Sequence, residues 1–209
     1  HIGGGGDPSP ITAYGVYMGM KASAKFKWGN DSLEGKKILV QGVGHVGAHL
    51  VKHISLEGAK VYINDINKQK LNDISSKYNA DIINTDGIYD FDMDIYAPCA
   101  LGATLTTDTI DRLKCDIISG SANNQLADEN IHGDQIKNKG IVYAPDFLIS
   151  AGGLINVYSE IKGYDKVKSL EQTRNIFDTT LEILLKAESE NITTHMAALM
   201  KAQKRIQDK

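Results

Sequence analysis

The sequence predicts a doubly wound α/β fold: a parallel sheet with helices on both faces and a helical tail at the C-terminus. Three observations predict it. Short apolar runs alternate with helical patterns between residues 35 and 150, a glycine-rich turn follows the first run, and the pattern after Asp146 is wholly helical. Strands that alternate with helices pair in parallel, because each right-handed crossover returns the chain to the same edge of the sheet.

Composition indicates an ordinary globular protein large enough for one domain. The 209 residues are 42% hydrophobic and 23% charged, with a formal net charge of -3. Because no basic run occurs, we expect no nucleic-acid partner. No apolar stretch approaches the ~18 residues that span a membrane, no signal-peptide pattern is present, and the two cysteines make no disulfide framework. We therefore expect a cytoplasmic protein without a membrane partner.

The first 34 residues are predicted to hold a leading helix. The chain starts at His1 with a glycine run and no initiator methionine, so we expect a piece of a longer protein. Ser9 is predicted to cap a helix whose first position is Pro10. Gly29 is predicted to end it, after apolar residues at helical spacing: Ala13, Val16, Tyr17, Met20 and Ala24.

Residues 35–150 are predicted to form the α/β core. Strands are predicted at 37–41 and 60–64, joined by a helix that stops at Gly58 and followed by a helix over 67–78. Shorter apolar runs predict four more strands, at 81–83, 94–97, 116–120 and 140–144, and Thr106 is predicted to cap a helix over 107–113. The C-terminal segment, 151–209, is predicted to contain three helices, at 153–161, 167–190 and 194–207.

The turn after the first strand carries a phosphate-binding pattern, G-x-G-x-x-G, formed by Gly42, Val43, Gly44, His45, Val46 and Gly47. The first glycine allows the tight turn, the second lets a pyrophosphate approach the backbone, and the third lets the helix pack closely. The helix N-terminus then offers free N–H groups to phosphate. Because the pattern follows a strand and opens a helix, the core is predicted to be a Rossmann-like dinucleotide-binding domain.

Asp65 ends the second strand, where a carboxylate accepts hydrogen bonds from the adenosine ribose hydroxyls. A carboxylate there repels a 2′-phosphate, so we predict NAD rather than NADP as the cofactor, with Ile66 beside it. The alternative is that the glycines form only a tight turn and that Asp65 caps the next helix.

Two further loops are predicted to line the same cleft, because ligands of open α/β sheets bind beyond the carboxyl ends of the strands. One contains Ala97, Cys99 and Ala100, and the other contains Asn123 and Asn124. The two amides suit a nicotinamide carboxamide or a substrate carboxylate, although asparagine is also common in simple turns. For Cys99 we favour packing over nucleophilic catalysis, since no basic neighbour in sequence lowers the thiol pKa.

Two sets of residues have alternative interpretations. Leu154 and Val157 share one face of a helix that starts at a glycine pair, and spacing alone favours core packing over an apolar substrate pocket. His45, His49 and His53 stand four apart on one helix, but His45 belongs to the phosphate turn, so we predict no metal site. The chain also contains no lysine in a glycine-rich, apolar setting that suits a catalytic base, so we assign no catalytic residue.

The chain resembles the cofactor domain of the glutamate/leucine/phenylalanine/valine dehydrogenase family, in particular its leucine dehydrogenases. The resemblance covers nearly the whole length and rests on segments in a fixed order: residues 8–16, 41–47, 97–102, 120–122, 124–126 and 143–146. It implies NAD-dependent oxidative deamination of L-leucine or a related branched-chain amino acid to the 2-oxo acid and ammonia, an activity of amino-acid catabolism.

The resemblance also implies roles for individual residues. Thr12 and Asn124 are expected at the nicotinamide end, and Leu154 and Val157 at the substrate side chain. The family's catalytic residues belong to an N-terminal substrate domain that this chain lacks, so the chain alone is expected to bind cofactor without turnover. The whole protein is expected to be a homo-oligomer.

Three residues depart from the family pattern, and other functions remain open. His45 stands where relatives often carry asparagine or serine, Ser150 where asparagine is usual, and Leu154 where leucine dehydrogenases have valine. The alternatives are a phenylalanine or valine dehydrogenase, a non-catalytic NAD-sensing module, and a subunit-interaction domain that inherited the fold.

Overall fold

The computed structural model describes residues 6–161, 163 and 165–207, so the predicted features of the first five residues lie outside the described part. The strands are β1 (Lys37–Gln41), β2 (Lys60–Asn64), β3 (Asp81–Ile82), β4 (Ile95–Pro98), β5 (Ile117–Ile118) and β6 (Val142–Tyr143). The helices are α1 (Ser9–Trp28), α2 (His45–Leu56), α3 (Lys68–Tyr78), α4 (Thr107–Arg112), α5 (Glu129–Asn138), α6 (Asp146–Ile149), α7 (Gly152–Ile161), α8 (Lys166–Arg174), α9 (Ile176–Ser189) and α10 (Thr194–Gln207). A short 3-10 helix covers Thr85–Gly87.

The six strands form one parallel sheet in the order β3-β2-β1-β4-β5-β6. This order places β1 at the centre, with β2 and β4 on its two sides, and it is the order of the doubly wound dinucleotide-binding fold. The predicted fold class is therefore confirmed.

Strand residues alternate between two hydrophobic cores, because successive side chains of a strand point to opposite faces. Ile38 and Val40 belong to a cluster that also contains residues of α1, α2 and α9. Leu39 and Tyr96 belong to a second cluster, which contains residues of α4 and α5. Helices thus cover both faces of the sheet, as predicted.

β1 and β2 have the predicted bounds, β4 is shifted by one residue from the predicted 94–97 to Ile95–Pro98, and the outer strands are shorter than predicted. β1 and β2 pair over all five residues, whereas β5 and β6 pair only over Ile117–Ile118 and Val142–Tyr143. The residues next to these pairs still donate single hydrogen bonds, such as that from the Ala144 N–H to the Ile118 carbonyl. The predicted strands at 116–120 and 140–144 were therefore in the right places but too long.

The predicted start of the leading helix was wrong by one residue. The helix begins at Ser9, and Asp7 rather than Ser9 satisfies a backbone group there, because its Oδ1 accepts the Ser9 N–H at 2.9 Å. The predicted end is confirmed: Gly29 has φ 78° and donates its N–H to the Lys25 carbonyl. A left-handed residue in this position is a common helix stop, and glycine adopts it without a steric cost.

The predicted helix over 167–190 is two helices, α8 and α9, with Asn175 between them. The Asn175 N–H donates to the carbonyl of Gln172, three residues earlier, as in a 3-10 turn rather than an α-helix. Helix α9 then begins at Ile176. Buried residues on both sides keep helical spacing across this break: Ser169, Thr173, Ile176, Thr180, Ile183, Leu184 and Ala187. For this reason the pattern alone shows no interruption.

Helix α1 links the three predicted segments, because it packs against α2 of the core and against α7, α8 and α9 of the C-terminal segment. Its Gly15 and Gly19 lie against Ile149, and a Cβ on Gly15 would fall 2.7 Å from the Ile149 carbonyl oxygen. Within the described residues, no helix has both the length and the apolar character needed to cross a bilayer.

Candidate functional site

The predicted residues of the glycine turn and of the loops after β2, β4 and β5 lie at the carboxyl end of the sheet, where the chain turns in opposite directions after β1 and β4. The turn after β1 contains the glycines, Asp65 follows β2, Cys99 and Ala100 follow β4, and the loop after β5 contains the two asparagines. Such a point, where the strand order reverses, is the ligand-binding crevice of open α/β sheets.

Each glycine of the turn has a distinct environment. Gly42 has φ 100°, and a Cβ there would lie 2.7 Å from the Ala100 nitrogen. A Cβ on Gly47 would lie 1.9 Å from the Gly42 carbonyl oxygen, so α2 can pack on the turn only without a side chain. A Cβ on Gly44 would meet nothing within 4 Å. The first and third glycines are thus required by the fold, whereas Gly44 leaves its backbone open to a ligand.

Helix α2 starts directly behind this opening. Gly44 is its N-cap, no side chain caps it, and its first turn contains no acidic residue. The first N–H groups of such a helix have no partner within it and attract anions. Beside this end lies a cleft of about 260 Å³, lined by Val43, Gly44, His45, Ala48, Lys70, Asp73 and Ile74. Val46 is partly buried on the opposite side of the helix, against the core.

Asp65 connects the end of β2 to the glycine turn. Its Oδ2 accepts the Val43 N–H and its Oδ1 accepts the Asn67 N–H, both at 2.8 Å. The cap of α3 is Asn67, whose side chain accepts the Lys70 N–H, so Asp65 is not itself that cap. Asp65 remains partly exposed and Ile66 is 95% exposed. The carboxylate therefore fixes the glycine turn, a contact that the sequence pattern did not reveal.

The loop after β4 supports the turn. Ala97 is buried in the strand, the Cys99 N–H donates to the Gln41 carbonyl at 2.7 Å, and Ala100 lies against Gly42. Burial raises the pKa of the Cys99 thiol, and its sulfur accepts the Ser121 N–H at 3.5 Å. A protonated, enclosed thiol is a poor nucleophile, which agrees with the predicted packing role.

The loop after β5 exposes Asn123 and Asn124 and is held by a residue that the sequence pattern did not single out. Asn124 has φ 52°, and its N–H donates to the buried carboxylate of Asp146. The Tyr143 hydroxyl donates to the other oxygen of Asp146 at 3.2 Å. The signal that could have identified Asp146 is its place just after the last strand, at the edge of the sheet where the other site residues lie.

Helix α7 brings its first residues against α1. A Cβ on Gly152 would lie 2.4 Å from the Ile11 carbonyl oxygen, and one on Gly153 would lie 2.7 Å from the Thr12 hydroxyl. Thr12 is partly buried, and its hydroxyl donates to the Pro8 carbonyl at 3.0 Å. Leu154 and Val157 point away from this contact and are 74% and 49% exposed. The interpretation of these two residues as core was therefore wrong.

The histidine ladder on α2 does not converge. The exposed His45 lies 3.6 Å from the Asp7 carboxylate, whereas His53 stacks on the Tyr17 ring with centroids 5.2 Å apart. Burial lowers the pKa of His53, since the protein interior disfavours its charged form. Within the described ranges, no group of three or more His, Cys, Asp or Glu side chains is arranged to hold a metal ion.

Comparisons with known proteins agree with this geometry. A sequence model described as Glutamate/Leucine/Phenylalanine/Valine dehydrogenase matches residues 62–209. The leucine dehydrogenases of Thermoactinomyces intermedius and of Bacillus subtilis (strain 168) are each 49% identical over 206 residues, which are 99% of this chain and 56% of each relative. The crystal structure of L-tryptophan dehydrogenase from Nostoc punctiforme has a TM-score of 0.94 and 42% identity, covering 97% of this chain and 62% of that one.

The chain spans about half the length of the curated relatives that it matches. The family match covers most of the chain, including every strand from β3 onward. With the strand order, the glycine turn and these relatives, it follows that the chain belongs to the glutamate/leucine/phenylalanine/valine dehydrogenase family.

Proposed function

We propose that this chain is the NAD-binding half of an amino-acid dehydrogenase that oxidatively deaminates L-leucine or a related branched-chain amino acid. The observation that carries the proposal is the glycine turn, in which two glycines are wedged against backbone while Gly44 and the start of α2 stay open. An open backbone at a helix N-terminus fits a pyrophosphate, because its N–H groups and the helix dipole both favour negative charge.

Asp65 supports NAD rather than NADP. Its carboxylate lies at the carboxyl end of β2 and accepts the Val43 and Asn67 N–H groups. Among the described residues, no ion pair neutralises its charge. A carboxylate so placed accepts from ribose hydroxyls and repels a 2′-phosphate. When bound, NAD would supply the acceptor for the hydrogen removed from the substrate Cα.

The protein's own residues orient that reaction. We assign Thr12 and Asn124 to the nicotinamide end, as the family resemblance implies. In support, the segment before α1 reaches the glycine turn through Asp7 and His45, and the β5 loop reaches it through the loop after β4. The Asp146 carboxylate holds the Asn124 backbone in its left-handed conformation and so positions the side chain. Preorganised polar groups of this kind orient a ligand without a further ordering cost.

The substrate side is assigned to Leu154 and Val157, whose exposed apolar side chains provide one wall for an aliphatic side chain. We propose that the remaining wall, the catalytic residues and the contacts of a homo-oligomer belong to the part of the protein beyond this chain. In this proposal the leading helix lies in residues 1–34 and the dinucleotide-binding core in residues 35–150. The C-terminal helices lie in residues 151–209, and α7, α8 and α9 pack on α1.

An aromatic substrate is the second candidate. One similar protein is an L-tryptophan dehydrogenase, and an exposed side chain such as Leu154 moves at little cost. A phenylalanine or valine dehydrogenase would carry out the same reaction on a side chain of different size.

Calorimetric titration of the chain with NAD and with NADP tests the proposal. We expect NAD to bind about tenfold or more tightly than NADP, because the 2′-phosphate meets the Asp65 carboxylate. An Asp65→Asn variant should lose most of this preference. Asp73→Asn, which removes a carboxylate that lines the cleft beside the start of α2, should retain it. Failure of the wild-type chain to bind either nucleotide, or equal affinity for both, would contradict the proposal.

A further inference from the structure

His45 occupies the first position of α2, at the point where the proposed pyrophosphate meets the helix. Its side chain is 81% exposed, and its Nδ1 lies 3.6 Å from the Asp7 Oδ2. Asp7 belongs to the segment before α1, and its other oxygen accepts the Ser9 N–H at 2.9 Å. The segment before α1 therefore places the Asp7 carboxylate beside the phosphate turn, although Asp7 and His45 are 38 residues apart in the chain.

The charges around His45 are few and of both signs. Asp7 faces it from the leading segment, His49 follows four residues later on α2, and Lys70 and Asp73 line the same cleft from α3. Hydrogen bonds with Ser9 lower the pKa of Asp7, so this carboxylate stays ionised near neutral pH. An imidazolium at a helix N-terminus is disfavoured by the helix dipole, and a nearby anion offsets that effect.

We propose that protonated His45 binds the cofactor's pyrophosphate and that Asp7 competes with the pyrophosphate for it, so that the affinity for NAD rises as the pH falls. This inference rests on the proposed function and adds a regulated contact to that site. Two negative phosphates attract an imidazolium more strongly than one exposed carboxylate does, and the displaced Asp7 is rehydrated.

The direction of the pH effect follows from the charge of the imidazole. Histidine is the side chain that ordinarily changes charge between about pH 5 and pH 8. A protonated imidazole at this position adds a charge-assisted hydrogen bond to the pyrophosphate. A neutral imidazole adds no charge to that contact, while the carboxylate of Asp7 still repels the ligand.

Calorimetric titration with NAD at about pH 6 and about pH 8 tests the inference with four proteins: the wild-type chain, His45→Asn, Asp7→Asn and His49→Asn. We expect the wild-type affinity to be about fivefold higher at the lower pH, in line with one exposed charge-assisted contact. His45→Asn should remove this difference, whereas His49→Asn should retain it. Asp7→Asn keeps an oxygen for the Ser9 N–H but loses the charge, so it should bind NAD more tightly than wild type at both pH values.

The outcomes separate this inference from the proposed function. A wild-type chain that binds no NAD at either pH contradicts both. NAD binding whose pH dependence survives in His45→Asn contradicts the role of His45 alone, and weaker binding by Asp7→Asn contradicts the role of Asp7 as a competitor. Circular dichroism melts of each variant show whether it is folded, and an NMR titration of the His45 imidazole with and without Asp7 measures their pairing independently of NAD.

Discussion

The phosphate turn and helix α7 are both assigned to the proposed site, but their surfaces differ. In the turn, Gly42 and Gly47 are pressed against backbone, and Asp65 bonds to the Val43 N–H. On α7, the outer face carries Leu154 and Ile161, which are 74% and 79% exposed. The surface proposed for the cofactor is therefore held by contacts within this chain, whereas the surface proposed for the substrate is an exposed apolar helix face.

Helix α7 itself has two different faces, one buried and one exposed. Gly152 and Asn156, on its inner face, are buried against α1 and its neighbours. The inner face therefore packs α7 closely against α1, while the apolar outer face remains exposed. Substitutions that distinguish close packing from open surface test this description.

The largest loss of stability is expected for Gly47→Ala. A Cβ there would lie 1.9 Å from the Gly42 carbonyl oxygen, which is backbone and cannot move without opening the turn. We expect a loss of about 3 kcal/mol or more in the free energy of unfolding, as for other overpacked sites. Urea unfolding measures it, and a loss below about 1 kcal/mol would show that α2 does not rest on the turn in this way.

A smaller loss is expected for Gly152→Ala on the inner face of α7. The new Cβ would lie 2.4 Å from the Ile11 carbonyl oxygen, so α1 and α7 must separate, at about 2 kcal/mol. Gly153→Ala is the matched control, because its nearest atom is the Thr12 hydroxyl at 2.7 Å, which can rotate away. Thermal melts of the two variants compare them, and equal losses would mean that side-chain rotation does not relieve the second contact.

Gly44→Ala separates binding from stability. Its Cβ would meet nothing within 4 Å, so the expected loss of stability is about 1 kcal/mol or less, from the weaker N-cap. The same methyl group occupies the space assigned to the pyrophosphate, and we expect NAD affinity to fall about tenfold or more. Calorimetry on the folded variant measures this, and unchanged affinity would place the pyrophosphate elsewhere.

Local patterns predicted the centre of the sheet well. Lys37–Gln41 and Lys60–Asn64 are strands with the predicted bounds, because each run is largely apolar and the two strands pair with each other over all five residues. The glycine turn was also predictable, since only its glycines satisfy the strand-to-helix geometry. The strand runs and the glycine turn are both patterns of residues close in sequence, and for this reason both were predictable.

Features that depend on distant residues were not predictable. The bond from the Val43 N–H to Asp65, the cap of Asp146 on Asn124 and the pair of His45 with Asp7 each join segments at least 22 residues apart. The break at Asn175 was hidden because the buried positions keep one helical spacing across it. For Leu154 and Val157, spacing showed a common face, but only the contacts of Gly152 with α1 decide which face is buried.

The smallest loss is expected for Leu154→Ala and Val157→Ala. Both side chains are largely exposed, so we expect the free energy of unfolding to change by no more than about 0.5 kcal/mol. Ile149→Ala, a substitution of a fully buried residue in contact with Gly15 and Gly19, is the control and should cost about 2–5 kcal/mol. Urea unfolding of the chain measures all three. A loss above about 1 kcal/mol for Leu154→Ala would mean that this face is packed within the chain itself. It would then be unable to serve as a substrate wall. Unchanged stability, together with altered substrate preference when the variants are joined to the proposed substrate domain, would assign the face to recognition rather than to folding.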